Sequence, residues 1–295
     1  MKNILVPTDF STEAHYAFEA AVRLAQHTGG QVTLLHTVEL PGGAGTAGFS
    51  TYGSPVNGSV LPNNTTGLSG MDGLFAHKLM QVNTQHLHQL IAEAAEIAPG
   101  VVVTELMRPT SLNEALLSTI AQQHSDLVVM GTQGNAAHEH FFSTSNTERL
   151  MRTAPCPVLV VKHPVGDFDV KTLVFASDFT SEAEVVATAL LPMRALFPAA
   201  TLHLLQVVEA SYDRAAAQAV LAAFAQRHQL GQCQLAVEEA DNVAAGIERY
   251  AQRVAADLLL LPTHGHTGLG RLFHAGTAED VATHALPPVL TLRPA

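Results

Sequence analysis

The sequence predicts an α/β protein built from two tandem open sheets, each of five parallel strands with helices on both faces. Three observations lead there. Short apolar runs alternate with longer stretches of helical period, the pattern of βαβ units. One run, Asp126-Leu127-Val128-Val129-Met130-Gly131, passes through Gly134 to a polar helix start at Ser145. That stretch occurs twice, its counterpart being Asp257-Leu258-Leu259-Leu260-Leu261-Pro262-Thr263-His264-Gly265. The flanks repeat too. Ile4-Leu5-Val6-Pro7-Thr8-Asp9-Phe10-Ser11 answers Leu173-Val174-Phe175-Ala176-Ser177-Asp178-Phe179-Thr180. Ala154-Pro155-Cys156-Pro157-Val158-Leu159 answers Ala285-Leu286-Pro287-Pro288-Val289-Leu290. Two copies of a strand-led unit in one chain are a tandem duplication.

In the first copy, Ile4 to Val6 reads as a strand. Ser11 is the expected N-cap of the next helix, with Glu13 in its first turn and Ala14, Phe18, Ala21 and Ala25 at helical spacing. Gly29-Gly30 stops it, and Val32 to Val38 is the second strand. Residues 41–71 are rich in Gly, Ser, Thr, Asn and Pro and have no counterpart in the second copy, so they read as a loop insertion. Leu79, Val82, Leu87, Leu90, Ile91 and Ala94 mark an amphipathic helix that ends at Pro99-Gly100. Val101 to Leu106 is the third strand, and Ser111 with Glu114 spells a capping box for the helix after it. Leu127 to Met130 is the fourth strand, Ser145 with Glu148 a further capping box, and Val158 to Val161 the fifth strand. Residues 163–171 form a linker punctuated by Pro164 and Gly166. The second copy follows the same order, from a strand at Leu173 to a last strand at Val289 to Leu292.

At 295 residues and 47% hydrophobic, each half can bury a core. A net charge of −11 argues against a general nucleic-acid binder, which would show a basic face. No apolar run is long enough to span a bilayer and no signal peptide is read, so the expectation is a soluble cytoplasmic protein. The two cysteines, Cys156 and Cys233, lack a C-x-x-C neighbour and encode neither a disulfide framework nor a zinc ribbon.

The chemistry-bearing stretch is the strand, glycine turn and helix start around Gly131, Gly134 and Ser145. Backbone N–H groups at such a start can cradle phosphate, and they need no side-chain charge. The same residues also serve simply as a turn and a cap. No H-E-x-x-H, P-loop or Ser-His-Asp order is present, so the expectation for catalysis is at most slow ATP hydrolysis. Sixteen histidines raise the question of metal. His86 and His88 are two apart and face different ways on a helix, and His138, His140, His264, His266 and His274 read as solvated loop residues.

These motifs resemble the universal stress proteins, and the resemblance spans both copies over nearly their full length. It implies a first domain over residues 1–163 and a second over 172–295, each a Rossmann-like sheet of the adenine nucleotide alpha hydrolase-like type. It also implies that strand five of each copy pairs antiparallel across a two-fold axis. In a tandem chain that pairing can be made within one molecule, as an intramolecular pseudo-dimer; a homodimer is the other arrangement. The nucleotide-binding branch of the family carries G-x-x-G-x9-G-[ST]. On that pattern ATP or AMP, with Mg2+ where phosphates call for it, would lie against Pro7, Thr8, Asp9, Thr37, Met130, Gly131, Gly134, Thr144, Ser145 and Asn146. The second copy would offer Ala176, Ser177, Asp178, Val207, Leu261, Gly265, Gly276 and Thr277. Both copies depart from the pattern. Thr144 stands at the third glycine of the first, and Pro262 at the first glycine of the second, with Ala275-Gly276 in place of Gly-Ser. The first copy is the better candidate site. The alternative is an interaction protein of the same fold whose two sites are degenerate.

Overall fold

The computed structural model describes residues 1–38, 70–132, 144–179, 181–209, 212–262 and 277–292. The first half runs β1 (Asn3–Pro7), α1 (Thr12–Thr28), β2 (Gln31–Thr37), α2 (Gly70–Ile97), β3 (Val102–Arg108), α3 (Leu112–Gln123), β4 (Leu127–Gly131), α4 (Thr144–Thr153) and β5 (Val158–Val161). The second half runs β6 (Thr172–Ala176), α5 (Ser181–Leu196), β7 (Thr201–Val208), α6 (Arg214–Arg227), β8 (Gln234–Glu239), α7 (Val243–Arg253), β9 (Leu258–Pro262), α8 (Thr277–His284) and β10 (Val289–Leu292).

Each half is an open parallel sheet of five strands, and the two sheets join into one of ten, ordered β3-β2-β1-β4-β5-β10-β9-β6-β7-β8. Every pairing is parallel except the central one, where β5 and β10 run antiparallel with Val160 opposite Val289 and Val158 opposite Thr291. Thr291 Oγ1 donates to the Val158 carbonyl at 3.2 Å across this seam. Arg152 of α4 adds an ion pair to the buried Glu279 of α8 at 2.7 Å. Two apolar layers cover the sheet, and each runs through both halves. One gathers α1, α2, α5 and α6 over Val6, Val129, Val161 and Phe175; the other gathers α3, α4, α7 and α8 over Leu5, Met130, Val160 and Val174.

Polar residues at the sheet's start explain why Asp-Leu recurs in the repeated stretch. Asp126 accepts from the backbone N–H of Lys2 at 2.6 Å and of Asn3 at 3.3 Å. Asp257 accepts from Lys171 and Thr172, both at 2.8 Å. Each aspartate therefore ties the start of the fourth strand of its half to the start of the first.

The helix ends correct two readings. Ser11 caps α1 as expected, its side chain accepting from the Ala14 N–H at 3.3 Å. Ser111 occupies the N-cap of α3 but makes no side-chain cap bond. The Thr110 hydroxyl has taken Glu114, donating to Oε2 at 2.5 Å, so the capping box is not formed. The fourth helix starts at Thr144, which puts Ser145 inside its first turn rather than at the cap. The amphipathic helix after the insertion reaches back to Gly70, so the last two residues of the 41–71 stretch are helical, and the remainder lies outside the described residues.

Candidate functional site

In each half the chain moves outward on one side of its first strand and then returns to the other side. This makes β1–β4 and β6–β9 the points where the order reverses, and an open α/β sheet receives ligand at the carboxyl ends of the strands there. Pro7, Thr8 and Asp9 end β1, Thr37 ends β2, and Met130 and Gly131 end β4, so the structure brings these predicted residues to one edge. The first turn of α4 holds Asn146, half-buried. Gly134 lies outside the described residues, as do the side chains of Thr144 and Ser145. In the second half Ala176, Ser177, Asp178, Val207 and Leu261 occupy the matching strand ends, all buried, and Thr277 opens α8. Gly265, Ala275 and Gly276 lie outside the described residues, with the loop histidines 138, 140, 264, 266 and 274.

The first strand of each half leaves the sheet through the same turn. Thr8 Oγ1 accepts from the Phe10 N–H at 3.1 Å, and Ser177 Oγ accepts from the Phe179 N–H at 3.1 Å. Phe10 and Phe179 both sit in the left-handed region, at φ 64° and 55°. A bulky residue seldom adopts that conformation, and the hydroxyl ahead of it holds the turn closed. Asp9 Oδ1 accepts from the Ser11 N–H at 2.9 Å. Thr8 and Asp9 thus spend part of their bonding capacity on the chain itself.

A second device fastens this turn, and sequence reasoning missed it. His36 Nδ1 lies 2.8 Å from the Thr8 carbonyl, and Nε2 lies 2.9 Å from Asn83 Nδ2 of α2. A carbonyl can only accept, so Nδ1 carries the proton and Nε2 accepts from the Asn83 amide. In the second half Gln206 stands at the same place in β7 and donates to the Asp178 carbonyl at 3.3 Å. The signal available in sequence was a polar residue at the same position in both copies, directly after Leu34-Leu35 and after Leu204-Leu205.

Burial lowers the His36 pKa from its ordinary 6.5. The Thr8 carbonyl and Asp9 favour the proton, and His86 of α2 opposes it. The unfolded chain therefore binds the proton more readily than the folded one. This contribution to stability is complete above pH 6.5 and is lost as pH falls below it. His36→Gln, which installs the residue of the second half, is expected to flatten the fall in urea midpoint between pH 7 and pH 5. His203 and His228 are also lowered, chiefly by burial, so a residual slope remains in the variant.

Gly131 is explained by packing. A Cβ there would strike the Glu13 carbonyl and stand 2.7 Å from the Ala14 nitrogen. The first turn of α1 thus occupies the space a side chain would fill. In the second half, Val207 is likewise committed to packing, because a Cβ at Gly246 of α7 would come within 2.7 Å of its Cγ1.

Four polar atoms at the carboxyl edge of the first sheet are enclosed with no hydrogen-bond partner among the described residues: Thr37 Oγ1, Arg108 Nε, Thr132 Oγ1 and Lys162 Nζ. Thr37 is 3% exposed and Thr132 is 1% exposed. Buried hydroxyls without partners are uncommon, and each asks for an explanation. The second half has Val207 at the place of Thr37.

The universal stress protein family model matches residues 1–53, 60–162 and 170–293, and the chain belongs to that family. A universal stress protein of Synechocystis sp., Slr1230, is 25% identical over 299 residues, covering 99% of this chain and all of that one. Universal stress protein MJ0531 of Methanocaldococcus jannaschii is 26% identical over 163 residues, covering 55% of this chain and 83% of its own. Among solved structures, a universal stress protein from Archaeoglobus fulgidus superposes with a TM-score of 0.65 at 16% identity. That match covers 99% of this chain and 96% of the other. The tandem α/β architecture is therefore that of the family over the whole chain. None of the described helices is long and apolar enough to cross a membrane.

Proposed function

We propose that this chain is a cytoplasmic, nucleotide-binding universal stress protein that takes ATP or AMP at the β1–β4 edge of its first half. The observation that carries the reading is the pair of buried hydroxyls at that edge, Thr37 and Thr132, that have no partner among the described residues. A ribose or phosphate oxygen is the kind of group that satisfies them. Asp9 keeps its second carboxylate oxygen for a ribose hydroxyl or a magnesium ion, since the first is used by Ser11. Pro7, Met130, Gly131, Gly134 and the start of α4, Thr144 to Asn146, complete the proposed wall. The second half, with Val207 and Pro262 at its strand ends, is assigned a structural role, as are Ala176, Ser177 and Asp178. Residues 1–163 and 172–295 are the proposed domains.

A second reading draws support from Gly131, Thr8 and Asp9, which have structural duties of their own. On that reading the protein acts through its surface and binds no nucleotide. Calorimetric titration of the purified protein with ATP and AMP separates the two. A saturable heat near one nucleotide per chain is expected. Titrations no different from dilution into buffer would favour the second reading.

A further inference from the structure

Lys162 lies just past β5, at the junction of the two halves. Thr132 lies just past β4, and its N–H donates to the Val161 carbonyl at 3.3 Å, which extends the parallel ladder by one step beyond Gly131 opposite Val161. Thr132 and Lys162 are therefore neighbours on adjacent strands. Side chains alternate along a strand, so both project to the face of Met130 and Val160, the face covered by α3, α4, α7 and α8. Each ends in an enclosed polar atom that no described residue satisfies. Glu248 of α7 is the acidic group whose charge reaches Lys162, yet the two form neither a hydrogen bond nor a direct ion pair among the described contacts.

An ammonium in this position is costly. Burial lowers its pKa to about 8, against a weaker opposing pull from Glu248. Glu248 is itself raised, first by its own burial, with His284 and Lys162 lowering it and Asp280 raising it. A lysine kept at such a place without a direct counter-ion among the described residues fits a site where an anion arrives with the ligand. A threonine hydroxyl beside it supplies a donor for a second oxygen of the same group.

We propose that Lys162 and Thr132 form a receiving point for a phosphate group where β4 and β5 end, on the face that carries α4. This rests on the nucleotide reading above in one respect: the phosphate is taken to belong to the nucleotide bound at the β1–β4 edge. The shared chemistry, a phosphate oxygen on a buried ammonium and a hydroxyl, also suits free polyphosphate.

The test uses the full chain and four probes: ATP, AMP, adenosine and inorganic tripolyphosphate. Affinities are measured by calorimetry for the wild type, Lys162→Met, Lys162→Arg and Thr132→Val. ATP binding is expected to weaken about 10- to 100-fold in Lys162→Met, the loss of one charge-assisted bond. Adenosine should be unaffected, and Lys162→Arg should retain most of the ATP affinity. Without ligand, Lys162→Met should melt no lower than the wild type, because it removes an unpaired buried charge. Unchanged ATP and tripolyphosphate binding in Lys162→Met overturns the proposal and leaves the nucleotide reading standing. An equal loss for ATP and adenosine also overturns it, since that marks a structural role. Lys162-dependent binding of tripolyphosphate without ATP or adenosine binding upholds the anion point and removes the nucleotide reading. If no probe binds the wild type, both fall.

Discussion

Gly131→Val is expected to destabilise the protein by about 3 kcal/mol or more, in the absence of any ligand. The atoms that a new Cβ meets are the backbone carbonyl of Glu13 and the nitrogen of Ala14, which cannot swing aside as a side-chain tip would. Relief requires α1 to lift from the end of β4, and α1 carries Ala17, Phe18, Ala21 and Ala25 into the core. Urea unfolding followed by circular dichroism measures the effect as a lowered midpoint, and Gly131→Ala should show it too. If Gly131 served only to let a ligand approach, the alanine variant would keep the wild-type midpoint and lose affinity alone. The two outcomes assign the glycine to scaffold or to site.

Phe224→Ala is expected to cost about 3–5 kcal/mol, the range for emptying a buried aromatic position. Phe224 of α6 is 2% exposed. Its ring centroid lies 5.0 Å from that of Phe179 edge-on and 6.0 Å from that of Phe175 in a stacked arrangement. Phe179 is the left-handed residue of the turn after β6, so this trio locks that turn into the core of the second half. The counterpart in the first half, Phe10, instead leans on His36 and His86, with centroids 4.6 and 5.0 Å away. One turn is held by apolar burial and the other by imidazoles, in keeping with a structural second half. Thermal unfolding of Phe224→Ala should show a single lowered transition, because both apolar layers run through the β5–β10 seam. Two separated transitions would show that the halves unfold as independent units.

Much of this architecture is legible in the residues alone. Apolar runs bounded by Gly and Pro placed the strands, and the duplication gave the second half from the first. Where the reading failed, a competing contact or a shifted helix start, which spacing alone does not fix, had intervened. Glu114 has the spacing of a capping box, but Thr110 captures its carboxylate first. Ser145 has the same spacing with Glu148, yet the helix begins one residue earlier. The glycine at 131 was visible as a turn residue, but its reason is the backbone of α1, and only the folded sheet brings the two together. His36 and Lys162 went unnoticed for a related cause. Each is a polar residue near the end of a strand, and its meaning depends on what the adjacent strand and the opposite helix place beside it. Sequence patterns report periodicity within an element and are silent about which atoms end up unsatisfied between elements.

The covalent link across the antiparallel seam changes how the protein behaves on dilution. Two separate chains meeting through their last strands would be in equilibrium with free subunits, and their partnership would fail when the cell holds few copies. Here β5 and β6 are separated by residues 162–171 alone, with Arg23 of α1 gripping Asp167 at 2.8 Å. A tether this short holds its two ends at an effective concentration on the order of millimolar, whatever the number of molecules present. Each half also always meets the other and never a copy of itself at that seam. Mutations in one half then have no mirror-image consequence in the second. A sequence free of that symmetry can keep ligand chemistry on one side while the other drifts toward pure support.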